Sequence, residues 1–155
     1  MKISILNIGK TDPGSIKEGV SAYLEKLRHY HTIDWMELPA PKGMASSVPA
    51  QLKKEEDVFI RHLGSGANVF LLDSGGKEYD SIEFAGFIGK KISEGQRPLI
   101  LVTGGPYGFS ERILQLAEGK ISFSKLTFTH QMIRLILAEQ LYRAFTIRRN
   151  ERYHH

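Results

Sequence analysis

Residues 98–108 read Pro98-Leu99-Ile100-Leu101-Val102-Thr103-Gly104-Gly105-Pro106-Tyr107-Gly108. An unbroken apolar run that stops at glycines and a proline is the pattern of a strand covered on both faces and followed by a tight turn. Asn68-Val69-Phe70-Leu71-Leu72 repeats it and stops at Asp73-Ser74-Gly75. Strands of this kind belong to parallel sheets sandwiched by helices, and the flanking segments fill that scheme. Residues 2–8 alternate as a strand and run into the turn cluster Gly9-Lys10-Thr11-Asp12-Pro13-Gly14. From Ser15, the apolar positions Ile16, Val20, Tyr23, Leu24 and Leu27 form a helical stripe. Residues 32–38 read as a second strand, 39–49 as an irregular proline-rich connection, and 51–63 as a charged helix ended by Gly64-Ser65-Gly66. Ser81 is the expected N-cap of a helix carrying Phe84, Ala85, Ile88 and Ile92, and Ser110-Glu111 caps a short one. Residues 121–123 make a last strand, and Thr129 opens a long final helix. The alternation predicts one α/β domain around a mostly parallel sheet, whose ligands bind beyond the carboxyl ends of the strands, at residues 72–75 and 103–108.

Composition narrows the chemistry. The 155 residues are 41% hydrophobic and 25% charged, enough for one core without disulfides or a structural metal. No run of eighteen apolar residues spans a membrane, and no signal-peptide pattern opens the chain. The absence of cysteine excludes thiolate nucleophiles, iron–sulfur clusters and disulfide scaffolds, and fits a reducing, cytoplasmic setting. Lys and Arg balance Asp and Glu at 13 against 13 in residues 1–103, but number 8 against 4 in residues 104–155. The whole excess of +4 therefore sits in the last third, where it marks either a contact with a polyanion or a solvated basic face.

The candidate motifs sort by context. Gly64-Ser65-Gly66 precedes a strand and lacks the dinucleotide fingerprint, and neither a P-loop nor a G-x-S-x-G elbow occurs. Gly104-Gly105-Pro106-Tyr107-Gly108 has the strand-to-helix context. Its glycines either let backbone approach a ligand or supply the positive φ of a turn. His29, His31, His154 and His155 are unaccompanied by a carboxylate cluster, so no metal site is expected. Residues 132–147 are apolar around the whole helical wheel, so the final helix needs two burial partners: the sheet, and a second copy in a two-fold dimer. Arg143 lies four residues after Glu139, where it either forms an ion pair or meets nucleic acid. The tail Arg148-Arg149-Asn150-Glu151-Arg152-Tyr153-His154-His155 interleaves guanidinium and aromatic groups, a combination that stacks on unpaired bases, or that simply remains solvated.

Longer motifs then become specific. Gly104-Gly105-Pro106-x-Gly108, Ser122-Phe123-Ser124-Lys125-Leu126-Thr127-Phe128-x-His130-Gln131-x-x-Arg134, Glu139-Gln140-Leu141-Tyr142-Arg143-Ala144 and the Tyr153-His154 ending resemble the bacterial large-subunit rRNA pseudouridine methyltransferase H family. The resemblance runs through the whole chain, including its Met1-Lys2-Ile3-x-Ile5-Leu6 start. It implies a SPOUT-type α/β fold with a C-terminal trefoil knot, which periodicity alone would draw as an unknotted sheet. It further implies a single domain over residues 1–155 with 149–155 as a functional tail, a homodimer, and S-adenosylmethionine as cofactor. By matching motifs, the cofactor site is expected at Leu72, Gly104, Gly105, Phe123, Ser124, Lys125, Leu126, Thr127 and Phe128. The implied reaction is methylation of N3 of a pseudouridine in 23S rRNA of the assembled ribosome, with neither metal nor membrane involved. His154 is the expected proton acceptor, Tyr153 stacks on a base, and Arg143 holds a phosphate or base edge. Where the family commonly has Lys or Arg after Tyr-His, this chain has His155, so a cationic role there requires a protonated imidazole. Two other readings share the composition: a non-catalytic ribosome-binding factor, and a relative acting on tRNA.

Overall fold

The computed structural model describes residues 1–154, the side chain of His154 excepted. The elements run β1 (Ile3–Ile8), α1 (Ser15–Leu27), β2 (Ile33–Leu38), α2 (Val48–Ile60), β3 (Asn68–Glu78), α3 (Ser81–Glu94), β4 (Leu99–Thr103), α4 (Glu111–Leu116), β5 (Gly119–Ser122) and α5 (Met132–Arg148). All strand pairs are parallel, in the order β2-β1-β4-β3-β5. The expected α/β class and parallel sheet are therefore present.

Alternation along each buried strand explains why both apolar runs are continuous. Ile3, Ile5, Phe70, Leu72, Leu99 and Leu101 face a core closed by α1, α3 and α5. Leu6, Ile8, Val69, Leu71, Ile100 and Val102 face a second core closed by α2 and α4. With helices on both sides, consecutive positions of the central strands turn to one core or the other, so residues 69–72 and 99–102 are apolar throughout.

Local signals shift several boundaries. Helix α2 begins inside the segment read as irregular, because Ser47 Oγ accepts from the Ala50 amide at 3.2 Å and Pro49 fits the first turn, where its missing N–H costs nothing. Asp80, not Ser81, caps α3: its carboxylate accepts from the Glu83 amide while Glu83 returns the bond to Asp80 N–H. Ser110 caps α4 as expected. The regular part of α5 starts at Met132, with Thr129 Oγ1 accepting the Met132 amide. Strand β3 does not stop at Leu72. It runs on to Glu78 through an irregularity between Leu72 and Lys77, where a Cβ on Gly76 would stand 2.6 Å from the Lys120 carbonyl carbon of β5.

Helix α5 lies between α1 and α3 on one face of the sheet. Gly19 of α1 leaves room for Leu135, and Gly89 of α3 leaves room for Arg148. The sheet, α1 and α3 thus cover part of the apolar wheel, while Met132 stays exposed and Ile133, Leu135, Ile136, Tyr142 and Ile147 are half-buried.

Candidate functional site

All five strands end at one edge, and a cleft of about 730 Å³, counting its open mouth, lies there between three chain segments. Leu72, Asp73 and Ser74 form its floor at the β3 irregularity. The turn after β4 contributes Gly104, Gly105, Pro106, Gly108 and Phe109. The loop from β5 to α5 contributes Ser122, Phe123, Ser124, Leu126, Thr127, Phe128 and His130, with Ile133 from α5 itself. Of the nine residues expected at a cofactor, the structure brings eight to this cleft; Lys125 is exposed and does not line it.

The three glycines of the turn have different reasons to be glycine. Gly108 has φ +78°, a conformation that disfavours a side chain, and its amide closes the turn onto the Gly105 carbonyl at 3.2 Å. At Gly104 a Cβ would press on the Phe109 ring and the Gly108 carbonyl at 3.1 Å. At Gly105 it would stand 2.8 Å from both carboxylate oxygens of Glu55. The loop from β5 is shaped by its own hydroxyls: Ser122 Oγ donates to the Ser124 carbonyl, and Ser124 Oγ accepts the Leu126 amide, both at 2.9 Å. Phe123 closes the back by standing edge-on to Phe84 of α3 at 5.3 Å.

Two residues of the His130-Gln131-x-x-Arg134 stretch anchor the neighbouring loop at the end of β1. Arg134 is fully buried and donates to the carbonyls of Ile8 and Gly9 and to Thr11 Oγ1. Burial pulls its pKa down, opposed by the Glu37 and Asp12 carboxylates. Gln131 receives the Asp12 amide and donates to the Lys10 carbonyl. The sequence offered Arg134 only as the last residue of a family motif; its partners lie more than a hundred residues away, and no local spacing reveals them.

The residues expected to do catalysis sit elsewhere. The short helix Arg152–His154 follows the far end of α5, whose 17 residues span about 25 Å, whereas the cleft adjoins its first turn. Tyr153 packs edge-on against Tyr142 at 4.7 Å, its hydroxyl 3.2 Å from those of Tyr23 and the Glu139 carboxylate. Burial, then the Tyr23 hydroxyl and the Glu139 charge, push its phenol pKa well up. Arg143 forms the ion pair with Glu139 anticipated from their spacing, and its guanidinium lies 4.9 Å from the Tyr153 ring centre. Tyr153 and Arg143 are thus brought together, but neither lines the cleft of its own chain. The His154 side chain and His155 lie outside the described residues. Among the described residues, no group of three or more His, Cys, Asp or Glu is arranged around a metal, and no helix is long and apolar enough to cross a membrane.

Residues 1–154 match a family described as "Predicted SPOUT methyltransferase". The ribosomal RNA large subunit methyltransferase H of Cytophaga hutchinsonii is 43% identical over 155 residues, covering 100% of both chains. That of Parabacteroides distasonis is 45% identical over 156 residues, covering 100% of this chain and 99% of its own. A crystal structure of a probable methyltransferase from Bordetella pertussis Tohama I superposes with a TM-score of 0.56 over 93% of each chain at 11% identity, a likeness of fold. The chain belongs to the SPOUT methyltransferase family, among relatives named ribosomal RNA large subunit methyltransferase H.

Proposed function

We propose that this protein is a cytoplasmic enzyme that transfers the methyl group of S-adenosylmethionine to N3 of a pseudouridine in 23S rRNA, acting on the assembled ribosome. The observation that carries the reading is the convergence of Leu72, Gly104–Gly105 and the 122–128 loop on one cleft. Its size and mixed lining suit a nucleoside ligand: Leu72, Phe123 and Leu126 offer apolar surface, and Asp73, Ser124 and Thr127 offer polar groups. When bound, this cofactor supplies a methyl already activated by a positive sulfur, so the chemistry calls for no metal.

The protein's work is then to align the acceptor and remove its proton. The N3 imide is mostly protonated at neutral pH, and its proton must leave as the carbon–nitrogen bond forms. His154 is the proposed acceptor, since a neutral imidazole is a competent base near pH 7. Tyr153 stacks on the target base or its neighbour. Arg143, held by Glu139, grips a phosphate or base edge. Because the tail follows the end of α5 remote from the cleft, these groups serve the cleft of a second protomer, and the active site is composite. Residues 1–155 form one domain in this reading, with 149–155 as its working tail. The C-terminal trefoil knot belongs to the same reading, supported by β4 and β5 flanking β3 and by α5 returning between α1 and α3.

The test is methyl transfer from labelled cofactor to assembled ribosomes, separate subunits and bulk tRNA in parallel, with the labelled nucleotide mapped by mass. Label on a 23S rRNA pseudouridine in assembled ribosomes alone is the expected result. Label on tRNA alone, or none despite bound cofactor, would overturn it.

A further inference from the structure

Behind the glycine turn lies a carboxylate whose surroundings do not account for its charge. Glu55, on the face of α2 that packs toward the turn, is only 4% exposed. One oxygen accepts from the Gln51 side-chain amide at 2.8 Å; the other, Oε2, is buried with no hydrogen-bond partner. Among the described residues it has no ion pair. Its basic neighbours are engaged elsewhere, Lys53 with Glu56 and Asp57, Arg112 with Glu56, and Lys54 with the Lys42 carbonyl. A buried carboxylate oxygen without a partner is costly, and an unsatisfied group of this kind calls for a physical reason.

What faces this carboxylate is the turn itself. Both oxygens stand 2.8 Å from the position a Gly105 Cβ would take, so the charge rests directly on the backbone, with no side chain between. Gly105 also lines the cleft. A cation in the cleft would therefore interact with the buried Glu55 carboxylate across the single turn that separates them, where attraction between charges is stronger than in bulk water.

We propose, on the reading that the cleft binds S-adenosylmethionine, that the Glu55 carboxylate is the counter-charge to its sulfonium and biases the cleft toward the cationic donor and against the neutral product, S-adenosylhomocysteine. Transfer of the methyl removes the positive charge from sulfur, so the same residue that favours loading of the donor ceases to hold the product. Glu55 is a specificity-determining residue that touches neither substrate nor cofactor, and Gly105 is the position through which it acts.

Isothermal titration calorimetry of the full chain with donor and product tests this without turnover. Glu55→Gln, which keeps the shape and an acceptor for Gln51, is expected to weaken donor binding by about tenfold and product binding by less than about twofold. Glu55→Met carries the same prediction and removes the cost of burying a carboxylate, serving as a second variant should Glu55→Gln fail to fold. Glu55→Asp, which keeps the charge, should retain the wild-type ratio of the two affinities. Equal loss for both ligands would reduce Glu55 to a support for the turn and overturn the inference, as would no change for either. A wild-type protein that binds neither ligand would instead remove the cofactor reading on which the inference rests.

Discussion

The two ends of α5 are built from opposite materials. Around its first turn, the cleft is shaped by backbone: glycines at 104, 105 and 108, a serine-pinned loop, and a buried arginine that holds carbonyls of the adjacent loop. At its last turn the surface is side chain throughout. Tyr23, Tyr30, Tyr142 and Tyr153 interleave with Arg143 and Arg149, tied by Glu139 and Glu151. Main-chain geometry suits a ligand that never varies, whereas aromatic and guanidinium groups suit a nucleic acid. One helix therefore separates a backbone-built cleft from a side-chain-built surface within each chain, and the proposed reaction would join them, as donor and acceptor ends, across two chains.

The contrast predicts where damage is structural and where it is chemical. The largest effect is expected from Arg134→Ala, which removes donors from two carbonyls and Thr11 Oγ1 in the interior; the loss is about 3–5 kcal/mol, seen as a lower midpoint in thermal or urea unfolding. His154→Ala should unfold no earlier, yet reduce single-turnover methyl transfer by about 100-fold or more while cofactor affinity holds; an unchanged rate removes that assignment. Glu139→Gln should loosen both Arg143 and Tyr153, lowering activity on ribosomes while leaving cofactor affinity unchanged in calorimetry. In this variant the Tyr153 phenol should titrate lower, since a negative neighbour that raises its pKa is gone. Smallest, Ser110→Ala should cost about 1 kcal/mol through loss of the α4 cap.

The same contrast marks what could be read without coordinates. Covered strands announce themselves because a two-sided burial demands an unbroken apolar run, and residues 68–72 and 98–102 supply one. The strand-end positions of the cleft follow from the rule for parallel sheets. The loop at 122–128 carries no periodicity, and only its resemblance to a family pointed there. Arg134 and Glu55 were illegible for a physical reason: each is a charged residue in a helix, a type expected in solvent, and its burial depends on partners brought by the fold. The cap at Asp80 was missed because Ser81, an equally good capping type, adjoins it, and only the reciprocal bond to Glu83 distinguishes them. The packing of α1 and α3 along the flanks of α5 was hidden because a helical wheel counts apolar directions without saying who fills them.

Whether the two ends meet in one site between chains is decided most directly by complementation. A cleft-defective variant, Gly105→Trp, and a tail-defective variant, His154→Ala, are each assayed on assembled ribosomes, then unfolded together and refolded as a mixture. If the site is composite, two inactive proteins regain about a quarter of wild-type activity at equal proportions, because half the two-fold dimers carry one intact cleft facing one intact tail. If cleft and tail act within the same chain, the mixture stays as inactive as its components, and the composite site is wrong.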